Sequence, residues 1–187
     1  MALHEPARKL TYEDYVLIPE DGKRHEIIDG EHFVTAAPFV RHQDLVVRLT
    51  LHLGGFVREH RLGRLLIAPT DVVLSPHDVL QPDLLFVSNE RASIITEKNI
   101  QGAPDLVIEI LSKDSRRLDE VIKHGAYERF GVREYWIFDR YQKAAKVWGW
   151  RTGGRRREIL LSAAAGDVLT TPLLPDLEIP LVEIFQE

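Results

Sequence analysis

Glu109 stands in the segment GAPDLVIEILS, Gly102 to Ser112, surrounded by valine, isoleucine and leucine. The pattern reads as a buried strand, and a carboxylate taken out of water is costly unless it is paired, protonated or bound to a cation. A second acid, Asp83, sits in another apolar run, QPDLLFVS. Neighbouring strands lie about 4.8 Å apart, so one carboxylate from each can converge on a shared cation. Asp105 cannot join Glu109 in this way. Four residues at about 3.3 Å each separate the two by roughly 13 Å along one strand, too far for a single ion. Asp105 is expected to open the strand and bond local backbone. Taken singly, Asp83 and Glu109 also fit solvated or ion-paired acids. As a pair on adjacent strands they are more telling than either acid alone.

The strand PDLVIEILS divides into two faces, with Leu106, Ile108 and Ile110 on one and Asp105, Val107, Glu109 and Leu111 on the other. An amphipathic helix over DSRRLDEVIKHGAYERFG follows, ended by Gly131. At about 100° per residue, Leu118, Val121, Ile122, Gly125 and Ala126 form its buried stripe. Arg116, Lys123 and Tyr127 fall on the border, where Lys123 can bury its stem and extend its ammonium toward the sheet. Asp119–Lys123 and Lys123–Tyr127 are i,i+4 pairs. A surface Asp–Lys pair beside a half-buried tyrosine is the plain alternative.

The remaining elements must carry these groups. TYEDYVLIPE predicts a short helix capped by Thr11 and stopped near Pro19. Asp29-Gly30 in HEIIDGEHFVT predicts a hairpin turn. Leu45, Val46, Leu49, Leu53, Phe56 and Val57 recur at helical spacing, giving a long helix that Gly63 stops. RLLIAPTDVVLS predicts two short strands broken by Pro69, and REYWIFD and AAKVWGW predict two more. RTGGRRRE reads as a hairpin tip before EILLS, and PLVEIFQE as a short helix. The expected fold is α/β or α+β: a mixed central sheet flanked by helices, with hairpins added toward both ends.

The chain has 187 residues, 44% hydrophobic and 28% charged, which suits one soluble domain over residues 1–187. The absence of cysteine excludes disulfides, thiolate metal sites and cysteine nucleophiles. No apolar run approaches the roughly 18 residues of a membrane span. MALHEPARKL lacks the apolar stretch of a secretory signal, so a cytoplasmic location is expected. A net charge of −5 argues against avid, non-specific coating of DNA, but an acidic metal site is compatible with it. HExxH, a phosphate loop, a dinucleotide fingerprint and a GxSxG elbow are all absent. His42, at the start of the long helix, can touch a phosphate there or serve as a cap-region histidine. Arg116 and the Arg155-Arg156-Arg157 run can grip a DNA backbone or lie solvated.

Asp83 in one strand, Glu109 in the next and a helix carrying Lys-x-x-x-Tyr resemble the PD-(D/E)XK nuclease superfamily. More closely, HEIIDGE, RHQDLVVRL, QPDLLFV, PDLVIEILSKDSRRLDEVIKHGAYERFGVREYWIFD and LLPDLEIPLVEIF resemble the Uma-two family of restriction-endonuclease-like proteins. Together these pieces span most of the chain. The resemblance implies a divalent-metal phosphodiesterase on a core of helix, three strands, helix and strand. It implies that Asp83, Glu109 and Glu26 hold Mg²⁺ or Mn²⁺. The motif lysine position, two after Glu109, is occupied by Leu111. The resemblance implies that the lysine has moved to the helix as Lys123, with Tyr127 beside it; Lys113 is the rival.

Phosphodiester cleavage needs an activated water and relief of negative charge at phosphorus, which a metal and a nearby ammonium supply. The expectation is a DNA endonuclease that can assemble as a homodimer or higher homo-oligomer through exposed apolar strands such as AAKVWGW. A catalytically silent binding or assembly module and a hydrolase of small phosphoesters are the alternatives.

Overall fold

The computed structural model describes residues 8–112, 115–150 and 156–186. Among the described residues, thirteen strands and four α-helices follow in chain order. Helix α1 (Tyr12–Tyr15) is closed by a capping box, with Thr11 and Asp14 each accepting from the other's backbone N–H. Strands β1 (Arg24–Ile28) and β2 (Glu31–Thr35) form a hairpin, followed by helix α2 (Val40–Glu59). Strands β3 (Gly63–Ile67), β4 (Val72–Ser75), β5 (Asp78–Leu80), β6 (Leu84–Ser88), β7 (Ile100–Gln101) and β8 (Leu106–Ile110) come next. A π-helical turn (Leu118–Lys123) runs directly into α3 (His124–Phe130). Strands β9 (Glu134–Asp139), β10 (Ala144–Trp150), β11 (Arg156–Ser162), β12 (Val168–Thr171) and β13 (Leu174–Pro180) and helix α4 (Leu181–Ile184) complete the order.

The architecture is mixed α+β. The central sheet has the order β11-β10-β9-β8-β6-β3. Only β8 and β9 run parallel in it, and the π-helix with α3 supplies the crossover that a parallel pair needs. A second sheet, β2-β1-β5-β4-β7, is built around the N-terminal hairpin, and β12 pairs with β13. The hairpin turn is Asp29-Gly30, as the sequence predicts. Both residues have positive φ, 51° and 80°, the geometry of the tight turn whose twist matches a hairpin.

Strand β8 is buried on both faces, which explains its nearly continuous apolar run. Leu106, Ile108 and Ile110 pack with Leu45, Leu49, Leu53 and Val57 of α2. Val107 and Leu111 pack with Ala126, Tyr127, Val132 and Tyr135 on the opposite face. Each fully buried aliphatic side chain here contributes about 1.5–3 kcal/mol through removal from water.

Three expectations are corrected. Val121 and Gly125, placed on the buried stripe, are exposed, while Asp119 and Lys123 are buried. The cause is the π-helical turn: its i→i+5 bonding takes more residues per turn, so the ordinary helical projection loses register across it. Lys123 and Tyr127 are therefore interior groups, and the surface-pair reading of Asp119–Lys123 fails. AAKVWGW is not an exposed strand. As β10 it pairs on both sides, and Ala144, Ala145, Val147 and Trp148 are buried within the chain. Asp105 bonds backbone as expected, but across to the end of β6 through the N–H of Ser88 at 2.7 Å, with Arg133 3.1 Å away. Lys113, Arg155 and the Arg156 side chain lie outside the described residues, as does most of the RTGGRRRE tip.

Candidate metal and phosphate site

The pairing of β6 with β8 sets Leu84 against Ile108 and Leu85 against Val107. Extended by one position, this register puts Asp83 opposite Glu109, and residues directly opposite in an antiparallel pair point to the same face. Both line one cleft of about 500 Å³, together with Arg24, His42, Asp119, Lys123 and Arg140. Phe33, Pro38 and Phe39 also line it, the last of these being the N-cap residue of α2.

Each wall supplies a charged group. Alternation along β1 brings Arg24 and Glu26 to one face. His42 comes from the first turn of α2, and Asp119, Lys123 and Tyr127 from three positions spaced by four along the π-helix and α3. Lys123 Nζ is the hub: it lies 2.9 Å from Glu26 Oε1, 3.0 Å from Glu109 Oε1 and 3.6 Å from Asp119 Oδ1. Tyr127 donates its hydroxyl to the same Glu109 oxygen at 3.2 Å. Glu26 Oε1 also accepts from the backbone N–H of Gln81 at 2.8 Å. His42 Nε2 and the Ile110 backbone N–H donate to Asp83 Oδ2 at 3.0 and 2.8 Å, and Arg24 approaches Asp83 Oδ1 at 2.9 Å.

The environments drive the carboxylates apart. Burial pushes the Asp83 carboxyl up, but the His42 hydrogen bond, the Arg24 charge and the Ile110 N–H together hold it at about 2. Glu109 goes the other way. Burial raises it well above the usual carboxylate range, Lys123 opposes this, and Asp83, Asp119 and Glu26 add to the rise. Asp119 is pushed up to about 6, first by burial. Burial works against the Lys123 ammonium, but Glu109, Glu26 and Asp119 outweigh it and keep the group protonated.

The charge balance is the main property of the site. Four buried carboxylates (Glu26, Asp83, Glu109 and Asp119) face two cations, Arg24 and Lys123. The carboxylates outnumber the cations, and the raised Glu109 and Asp119 carboxyls mark an excess of negative charge that a divalent ion would relieve. Glu26 Oε2 is buried and lacks a hydrogen-bond donor among the described residues, and Asp83 Oδ1 meets only the Arg24 guanidinium there. Hard carboxylate oxygens of this kind fit Mg²⁺ or Mn²⁺, which use one or two carboxylates and leave other positions to water and phosphate. Among the described residues, no three His, Cys, Asp or Glu side chains form a group able to hold a metal ion by themselves.

The structure thus brings Asp83, Glu109, Lys123 and His42 to one cleft. Glu26 and Tyr127 meet the same cluster, though they do not line the cleft. Arg116 stands apart, paired with Asp139 at 2.6 Å and Glu120 at 3.2 Å. Sequence reasoning missed Arg24 and Arg140. Arg24 carried a signal, since it lies two residues before Glu26 on the same strand face. Arg140 follows Asp139 at the end of β9, and its local sequence gave no such sign.

No helix among the described residues is long and apolar enough to cross a membrane. No curated protein matches the chain. The fold matches a solved structure from Anabaena variabilis ATCC 29413, described as "a putative nuclease belonging to DUF820", with a TM-score of 0.75 at 18% identity. That match covers 94% of this chain and 97% of the other. The family model Uma2, described as "Putative restriction endonuclease", matches residues 12–182. The chain belongs to the Uma2 family, in agreement with the resemblance carried by its central motifs.

Proposed function

We propose that the protein is a divalent-metal-dependent DNA endonuclease, with Asp83 and Glu109 holding Mg²⁺ or Mn²⁺ in the cleft. The observation that carries this reading is the buried cluster of four carboxylates and two cations, two of whose carboxylates lie opposite each other on the wall of one cleft. The family description supports the reaction class. The ion, when bound, would polarise a phosphate oxygen and lower the pKa of its water.

The chain's own groups have separable roles. Asp83 is held ionised by Arg24, His42 and the Ile110 N–H, and so stands ready as a ligand at neutral pH. Glu109 carries the raised pKa and loses its proton as the cluster gains positive charge. Lys123 remains an ammonium, so it donates hydrogen bonds and neutralises charge at the phosphate rather than taking a proton from water. Glu26 and Tyr127 are positioning residues: Glu26 fixes the lysine, and Tyr127 fixes the Glu109 carboxylate. The N-terminus of α2 opens on the same cleft and favours a bound phosphate.

Leu111 at the motif-lysine position, packed into the core, favours the second reading, a catalytically silent nuclease-fold module. Supercoiled plasmid incubated with Mn²⁺ separates the two. The wild type nicks or linearises it, and Asp83→Asn and Glu109→Gln do not. Equal background from all three proteins would leave the silent module.

A further inference from the structure

Arg140 belongs to two cavities at once. It lines the carboxylate cleft and also a neighbouring cavity of about 340 Å³ walled by Arg41 and Arg48 of α2, Tyr141 and Lys143. Among the lining residues of this second cavity Asp44 is the single carboxylate, against four cations. That is a local excess of positive charge in a chain whose formal net charge is −5.

These cations are available. Arg41, Arg140 and Lys143 have no carboxylate partner among the described residues. Arg140 Nη2 donates to the Tyr141 hydroxyl at 2.6 Å, and its guanidinium lies over that ring at 4.6 Å. Both contacts orient the group without neutralising it. Its Nε is buried and finds no acceptor. Arg48 Nη1 donates to the main-chain oxygens of Glu183, Ile184 and Gln186, which hold it in place and leave its charge unbalanced. Four cations without a carboxylate partner among the described residues, two of them oriented, beside an anion-processing cleft match a phosphodiester, whose oxygens accept from guanidinium and ammonium groups alike.

We propose that this second cavity binds a backbone phosphate of the same nucleic-acid strand whose scissile phosphate enters the carboxylate cleft. Arg41, Arg140 and Lys143 are its contacts, and Arg140 spans the step between the two positions. The inference rests on the nuclease reading for the direction of the strand, but its binding term is separable from catalysis. It also accounts for how a net acidic protein holds a polyanion: the contacts are few, local and sequence-independent.

The test uses the full chain and a fluorescent DNA duplex of about 20 base pairs, read by anisotropy in EDTA so that no strand is cut. The double variant Arg41→Gln, Lys143→Gln changes two exposed side chains and is checked for an unchanged thermal transition. It should bind about tenfold or more weakly at roughly 0.1 M salt, and its slope of log Kd against log salt should be shallower by about two. The loss should be equal for two duplexes of unrelated sequence. Arg64→Gln, Lys98→Gln removes the same charge elsewhere and should leave that slope nearly unchanged. Equal affinity and slope for the wild type and the Arg41/Lys143 variant, equal losses in both double variants, or no DNA binding by the wild type would overturn the proposal. If the wild type fails to nick plasmid but the binding difference persists, the catalytic reading falls and the pocket stands. Intact nicking with equal binding rejects the pocket alone.

Discussion

Lys123 Nζ lies 3.0 Å from Glu109 Oε1, and both side chains are about 98% buried. An ion pair this deep persists because the lysine also meets Glu26 and Asp119, so that one cation serves three carboxylates. The arrangement stabilises the lysine's charge far better than it stabilises the acids.

Removing the hub should be severe. Lys123→Met leaves three buried acids without their cation, and breaking a buried pair from one side costs about 3–5 kcal/mol. The urea midpoint should fall accordingly at neutral pH, with much of the loss recovered near pH 5, where the acids protonate. A midpoint unchanged at both pH values would contradict the hub role.

Glu109→Gln should act in the opposite direction on stability. It removes the carboxylate that burial and three neighbouring acids disfavour, so the metal-free variant should gain roughly 0.5–2 kcal/mol at neutral pH while losing plasmid cleavage. Thermal unfolding in EDTA reads the gain. A destabilised variant would mean that Glu109 contributes more to holding Lys123 than it costs through repulsion.

The pH dependence has a defined sign. The folded pKa of Asp119, about 6, lies above its unfolded value near 3.9. The folded protein therefore binds more protons in that interval, and stability falls as pH rises from about 4 to about 6. The size is on the order of 1–3 kcal/mol. Asp83, held at about 2, contributes in the other direction and only at lower pH, where its stabilisation is lost as pH falls through that value. Denaturation midpoints across this interval should decline more steeply in the wild type than in Asp119→Asn, whose remaining decline comes from Glu109.

His42→Ala tests the support of the ligand rather than the ligand itself. His42 is buried and donates to Asp83 Oδ2, so its loss should weaken divalent-ion affinity by about 10- to 100-fold without touching the ion. Calorimetric titration with Mn²⁺ measures this. Full affinity in the variant would reduce His42 to a packing residue.

Much of this site was legible in the sequence because β-strand geometry is simple. Period-two alternation sorted β8 into its two faces correctly, and strand spacing alone separated the useful partner, Asp83, from the distant one, Asp105. Helix geometry misled at the π-helical turn: an ordinary projection buried Val121, which is 62% exposed, and left Lys123 at the border. Val121→Ala should accordingly change stability by less than about 0.5 kcal/mol, a result that a core valine would not give. The second sheet escaped because β5 and β7 are three and two residues long, too short to show a period. Arg140 escaped because a single cation after a strand carries no pattern, and only its place in the lining of both cavities reveals its position.

A crystal soaked in Mn²⁺ and read by anomalous scattering tests the shared-ion claim most directly. The account predicts one strong peak touching the carboxylates of Asp83 and Glu109 together, lost in Glu109→Gln. A peak elsewhere, or none at saturating Mn²⁺, would contradict it.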